Sequence, residues 1–444
     1  MYKILPFLIY LFVLSTCNSI KDYQQTDKPN IIFIISDDQA WSDYGFLGHR
    51  FIETPHIDKL ARQGITYTRG YVTAPLCSPS LASIITGLYP HQHGITGNDP
   101  EFCSGNNRYG HEWLMERKVH FDTLLEKFKS KPLLTEILSD QGYLSFQTGK
   151  WWLGSYTDGG FDYGMTHGIP EMGGRHGDFG LDIGRQGMDT VYRMLELAIE
   201  KRLPFFLWYA PFLPHSPHNP PDSLLQKYLK ATASEPVARY WANCEWFDTT
   251  VGQLLNYLQK KRLLENSIIL YLCDNGWVQD PERQNRYLEG SKRAPYDMGI
   301  RTPIMVSWPG HIDPIMDTLT LTSSIDIVPT VLNVLEISQP QSLQGISLLD
   351  RNKLQNRNRI FSEVFFHDIE SMKEPTLSLK YQIIIKDEWK LILPDNRNLP
   401  DSTAELYKIL KDPFEKNNII NHYSDLTDEL KKEVYEWWKP GFEK

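Results

Sequence analysis

A chain of 444 residues is longer than one domain of modal size and can bury a large core with a smaller unit appended. Hydrophobic residues make up 41% and charged residues 23%, which excludes a disordered chain. The net charge of -9, with Lys and Arg spread along the chain rather than massed, excludes a nucleic-acid footprint, so an anionic ligand would need a local pocket of positive charge.

In chain order, Lys3 precedes the apolar stretch Ile4 to Val13, which is too short to span a bilayer and has the form of a signal-peptide core. It ends in Leu14-Ser15-Thr16-Cys17, which resembles a bacterial lipobox. Residues 1–16 are therefore read as a signal peptide and 17–29 as a polar tether, with Cys17 carrying a lipid anchor to the membrane. A plain secretory peptide is the alternative; either implies export to the periplasm or cell envelope.

From Asn30 the run NIIFIIS is continuously apolar and β-branched, as expected of a strand covered on both faces. Similar runs start at Tyr143 (YLSFQTG), Pro204 (PFFLWYA), Ser267 (SIILYLC) and Pro303 (PIMVSWP). Helical patterns lie between them, among them HIDKLARQG, LLTEILSDQG, GMDTVYRMLELAIEK and VARYWANCEWFDTTVGQLLNYLQKK. This alternation predicts a doubly wound α/β domain over residues 30–355. Strand-like pieces such as YQIIIKDEWKLILP, then the helical LTDELKKEVYEWW, predict a small antiparallel C-terminal subdomain over residues 356–444.

In open α/β sheets the site lies beyond the carboxyl ends of the strands, where Asp37 and Asp38 follow the first strand and Asp274 and Asn275 follow SIILYLC. Either pair alone reads as a turn or helix cap. Repeated at two strand ends, they bring like charges together at a cost unless a hard cation such as calcium or magnesium neutralises them. Between them, LCSPSLASIITGLYPHQHG places Cys77 at a helix start, where the dipole and free N–H groups favour an anion and a nucleophile can sit; a buried small hydrophobe is the alternative. The five cysteines, Cys17, Cys77, Cys103, Cys244 and Cys273, lack the spacing of a disulfide or zinc framework, and Cys244 and Cys273 read as core residues.

The segment CSPSLASIITG, from Cys77 to Gly87, resembles the C-x-P-S-R signature of the formylglycine-dependent sulfatases. The likeness continues through NIIFIISDDQ, TPHIDKLARQGITYT, TGKWWLG, PHSPH, CDNG, GSKRAPYDMGIRTPIMVSWPG and the closing ELYKILKDPFEKNNI. It implies an alkaline-phosphatase-like, doubly wound, mostly parallel sheet and the hydrolysis of carbohydrate sulfate esters. It also implies roles for particular residues. Asp37, Asp38, Asp274 and Asn275 match the calcium ligands, joined by Cys77, which a maturation enzyme converts to formylglycine. Lys150 and Lys292 match the lysines that bind sulfate oxygens, and His215 matches the histidine near the leaving oxygen.

Two positions depart from the family: Leu81 replaces the Arg of C-x-P-S-R, and Trp152 replaces the His of G-K-W-H. The first puts conversion of Cys77 in question, and the second leaves the base unassigned among His91, His93, His167 and His176. Trp152 is instead expected to stack on a sugar ring, with Arg175 and His176 as replacement positive charge. A phosphate or phosphonate ester hydrolase and a non-catalytic binder of sulfated glycans stay open as alternatives.

Overall fold

The computed structural model describes residues 28–100, 111–168, 179–371 and 373–441. The signal-peptide and lipid-anchor expectations, Cys103, Arg175 and His176 lie outside these residues. Eight strands form one sheet: β1 (Asn30–Ser36), β2 (Ile65–Tyr71), β3 (Leu144–Gly149), β4 (Tyr163–Gly164), β5 (Phe205–Ala210), β6 (Ser267–Cys273), β7 (Arg301–Ser307) and β8 (Ile315–Ser323). Their order is β4-β3-β5-β1-β6-β7-β2-β8. Every neighbouring pair is parallel except the two that β7 makes, with β6 and β2.

Alternation along β1 explains why it must be apolar throughout. Ile31, Phe33 and Ile35 face one layer, which includes helix α2 (Cys77–Thr86) and its Leu81, Ile84 and Ile85. Ile32 and Ile34 face the other, where helix α1 (Pro55–Gln63) contributes Ile57 and Leu60 and the helix Glu235–Lys260 contributes Phe247 and Val251. Helices on both faces make the sheet a three-layer core. Cys244 and Cys273 are fully buried within it, as expected of small core residues.

A second sheet of β9 (Arg359–Phe365), β10 (Leu379–Lys386), β11 (Trp389–Pro394) and β12 (Glu405–Lys408) is antiparallel, in the order β12-β11-β10-β9. One face packs Ile384, Leu391 and Leu406 under Leu430 and Val434 of the helix Ser424–Trp437. The other presents Ile360, Ile383, Ile385 and Ile392 to Tyr71, Ile300 and Leu321 of the main body. At this junction Lys390, fully buried, lies 2.9 Å from Asp297 and 2.6 Å from Glu415. Among the described residues no helix is long and apolar enough to cross a membrane.

Candidate active site

Register sets the site. Ser36 pairs with Cys273 across β1 and β6, so the residues that follow, Asp37 and Asp38 on one side and Asp274 and Asn275 on the other, emerge next to each other. Asp38 has a φ of 63°, an uncommon conformation for a residue with a side chain and one that accumulates at functional sites. Its N–H donates to Asp274 (3.2 Å), and Asn275 Nδ2 donates to its carboxylate (2.6 Å).

Two strands away, β3 ends at Gly149, whose φ is 78° and where a Cβ would fall on the Ala210 carbonyl. Only glycine fits this close approach, and the turn sends Lys150 back across β5. Its ammonium lies 2.5 Å from Asp37 and 2.7 Å from Asp274, while Lys292 lies 2.7 Å from Asp38. His215, in the loop after β5, sets Nε2 3.4 Å from Asp38 and donates from Nδ1 to the Ser216 carbonyl (2.6 Å). Cys77, the first residue of α2, is 2% exposed, with its sulfur 3.6 Å from Asn275 Oδ1.

Three carboxylates thus face two ammonium groups, all of them buried. Burial opposes charge on Lys150, yet Asp274 and Asp37 outweigh it and raise its pKa well above the usual value. Burial also works against the Asp38 carboxylate, but the Lys292 ammonium, foremost among its neighbours, holds its pKa down at about 2. The Asp37 carboxyl is pushed up by burial and by Asp274 and Asp38, despite Lys150, and its Oδ2 has no hydrogen-bond partner. Burial, helped by Lys292 and Lys150 and opposed by Asp38, holds His215 well below its usual range. Ligand atoms of Asp37, Asp38, Cys77 and His215 all lie within 4.8 Å of one another. An orphaned carboxylate oxygen amid hard oxygen donors and excess negative charge fits a divalent cation of the calcium class.

The site opens into a cavity of about 240 Å³ lined by Cys77, Trp152, His215 and Lys292. Trp152 is 5% exposed, packed edge-on against Phe212 at 5.8 Å, with the Lys150 ammonium 5.3 Å from its ring. The cavity is completed by Asn98, Arg286, Tyr287, Arg293 and His367, which the motifs do not single out. Arg286 and Arg293 flank the Lys292 motif and carry their charge in plain view. His367 comes from beyond β9 and has only the His-Asp dipeptide to advertise it. Its ring nitrogen Nδ1 lies 2.5 Å from Asp368, and Nε2 is 3.4 Å from Asn98 Nδ2. Asn98 in turn accepts from the Ser78 N–H at the start of α2 (2.8 Å).

Among the described residues, the other histidines considered as base, His91, His93 and His167, lie elsewhere. His91 pairs with Glu363 and stacks on Trp438 at 4.4 Å. His93 is buried against Ser83, and burial pulls it down to about 3. His167 is exposed and meets Tyr156 edge-on. Leu81, at the family's Arg position, is fully buried in the core under α2 and faces apolar neighbours.

Residues 29–337 match the family model described as Sulfatase. The chain belongs to the sulfatase family. Residues 288–439 also match the model described as N-sulphoglucosamine sulphohydrolase, C-terminal. This sulfatase is 24% identical to the N-acetylgalactosamine-6-O-sulfatase of Bacteroides thetaiotaomicron, with 96% of this chain and 97% of that one aligned. It is 27% identical to the human N-acetylgalactosamine-6-sulfatase, over 72% of this chain and 65% of that protein. Its fold is that of Ps i-CgsB, solved in complex with k-i-k-neocarrahexaose, with a TM-score of 0.72 at 22% identity and 93% of each chain covered. The protein is accordingly a sulfuric ester hydrolase.

Proposed function

We propose that this sulfatase removes sulfate esters from a sulfated polysaccharide or its oligosaccharides, with Cys77 in its formylglycine form and calcium held by Asp37, Asp38, Asp274, Asn275 and residue 77. The observation that supports this is the meeting of Cys77, at a helix start, with the Asp37, Asp38 and His215 donors inside one 4.8 Å group on a cavity that Lys292 also lines. Converted, residue 77 offers a hydroxyl to sulfur in place of a thiol that burial pushes toward protonation despite Lys150 and Lys292. Bound calcium supplies positive charge against the negative charge that builds on the sulfuryl oxygens. Lys150 and Lys292 are fixed ammonium groups for those same oxygens and need no reorganisation during the reaction.

His215 serves the departing sugar oxygen. Its Nδ1–H is tied to Ser216, so Nε2 is free to take the proton released by the attacking hydroxyl and pass it to the leaving group. His215→Ala should therefore slow hydrolysis of a sugar sulfate by about 10²–10⁴-fold and that of 4-nitrophenyl sulfate far less, since a phenolate departs without a proton. Equal losses on both substrates would leave His215 a positioning residue only.

Trp152 borders the cavity as a flat apolar wall for a sugar ring, and Arg175 and His176 complete the expected substrate contacts. Export to the periplasm or cell envelope, with a lipid on Cys17, is part of the same reading, as is the maturation enzyme that acts on Cys77. Mass spectrometry of the Cys77 peptide from the native host, alongside sulfate release from a panel of sulfated glycans, tests the proposal directly. An unmodified thiol with no sulfate release would make the protein a glycan binder. Stripping the purified protein with a chelator should also lower its melting temperature and stop turnover. At a hundredfold excess over its Kd, a ligand contributes about 2.7 kcal/mol of stability. Unchanged melting and turnover after chelation would remove calcium from the scheme.

A further inference from the structure

The cavity above Cys77 carries more positive charge than one sulfate ester accounts for. Lys150 and Lys292, balanced by Asp37, Asp38 and Asp274, are the cations assigned to the sulfate being cleaved. Arg286 and Arg293 line the same cavity, and Lys380, the second residue of β10, stands close enough to Arg293 to feel its charge. None of these three cations has an ion-pair partner among the described residues. The contrast with other cations in this protein is sharp. Lys390 is held by Asp297 and Glu415, Arg357 by Asp326, and Lys386 by Glu429 and Glu433.

Arg293 is not a loose surface side chain. It is only half-buried, but its backbone takes a φ of 66° and its N–H donates to the Pro75 carbonyl at 3.0 Å, two residues ahead of Cys77. The turn that bears Arg293 is thereby tied to the turn that bears the nucleophile position. Lys380 runs its stem over the rings of Phe366 and Tyr381, with its ammonium 5.8 Å from each centroid, and Phe366 immediately precedes His367 on the cavity. Burial and then Arg293 both pull the Lys380 pKa below its usual value, the mark of a cation lacking a counter-ion. The nearby acids Asp99 and Asp368 are engaged by Arg117 and His367. Half-buried like charges such as Arg293 and Lys380 are costly without a counter-ion, and an anion from the ligand would relieve them, while the exposed Arg286 adds charge at the cavity rim.

We propose that Arg286 and Arg293, backed by Lys380, form a second anion subsite beside the sulfate-cleaving centre, and that the natural glycan carries a second negative group, a carboxylate or another sulfate, on the ring bound there or its neighbour. A planar guanidinium suits either group, since both present two oxygens at the spacing of its fork. The subsite selects polyanionic sugars over singly sulfated neutral ones. It rests on the reading of the cavity as a sulfate-ester site, so the test separates binding from turnover.

The full-length Cys77→Ala protein is titrated calorimetrically with three groups of oligosaccharides: neutral sugars with one sulfate, uronate-containing sugars with one sulfate, and neutral sugars with two sulfates. At least one doubly anionic group should bind about tenfold or more tighter than the singly anionic one, and the better group identifies the second anion. In Arg293→Met and Arg286→Met that preference should collapse, and Arg293→Lys should retain part of it. Because neither arginine has a partner to lose, the melting temperature should hold in all three variants. A panel in which no doubly anionic sugar outbinds its singly anionic counterpart overturns the subsite, as does a preference that survives both methionine variants. Sulfate release by the unsubstituted protein on the same panel is read separately. Release without preference leaves the hydrolase and removes the subsite, whereas preference without release does the reverse.

Discussion

Lys390→Met is expected to destabilise the folded protein by about 3–5 kcal/mol, the usual cost of removing one partner from a buried charge cluster. Lys390 is fully buried and lies 2.9 Å from Asp297 and 2.6 Å from Glu415, and the Asp297 N–H donates to Glu415 at 2.6 Å. Burial pushes the Glu415 carboxyl up to about 7 even with Lys390 pulling it down. Without the ammonium, two carboxyl groups face each other in an apolar junction, with Arg301 at 3.6 Å and the Tyr71 hydroxyl at 3.2 Å as the nearest help for Asp297. Urea unfolding of the single variant and of Lys390→Met with Glu415→Gln checks this. The second change removes one of the stranded charges and should recover part of the loss, a coupling that a double-mutant cycle isolates. A single variant that unfolds with the unsubstituted protein would show the junction to be unimportant.

Cys77→Ala should lower turnover of any sulfate ester by about a thousandfold or more while lowering the melting temperature much less than removal of calcium does, since four of the five proposed ligands remain. The two halves of this expectation have separate causes. The sulfur makes one weak polar contact, 3.6 Å from Asn275, so its removal costs little in packing or hydrogen bonding. The nucleophile, by contrast, has no substitute among the described residues, of which Tyr287 alone brings a hydroxyl to the cavity lining. Initial-rate assays against 4-nitrophenyl sulfate and a sugar sulfate, beside a thermal melt, decide it. Turnover within tenfold of the unsubstituted protein would transfer the attack to water.

How much of this could be read from the residues depends on whether the signal is local. The runs NIIFIIS and SIILYLC are legible as buried strands because every position faces a helix layer, and the acids at their ends follow from where strands stop. The direction of β7 is not legible, since PIMVSWP is equally apolar run either way, and only its neighbours make it antiparallel. Strands β2 and β8, ITYTRGY and IMDTLTLTS, mix polar residues into the pattern, β8 because it is the edge strand and partly exposed over its first half, β2 although it is buried throughout. His367 is 290 positions from Cys77 in sequence and reaches the cavity only because the second sheet docks where it does. No spacing rule carries that distance. Lys150 and Lys292 are visible as motif positions, yet their grip on the acids is a property of the assembled site.

All ten residues of α2, beginning with Cys77, are buried. A helix so enclosed cannot be visited by another protein once the layers around it have closed. Any enzyme that rewrites Cys77 must therefore act on the chain while it is still being made or exported, in a race against collapse of the core. On that view the speed of folding sets the yield of modified protein. A substitution that hastens burial of α2 would improve stability while leaving a larger fraction of molecules permanently unconverted.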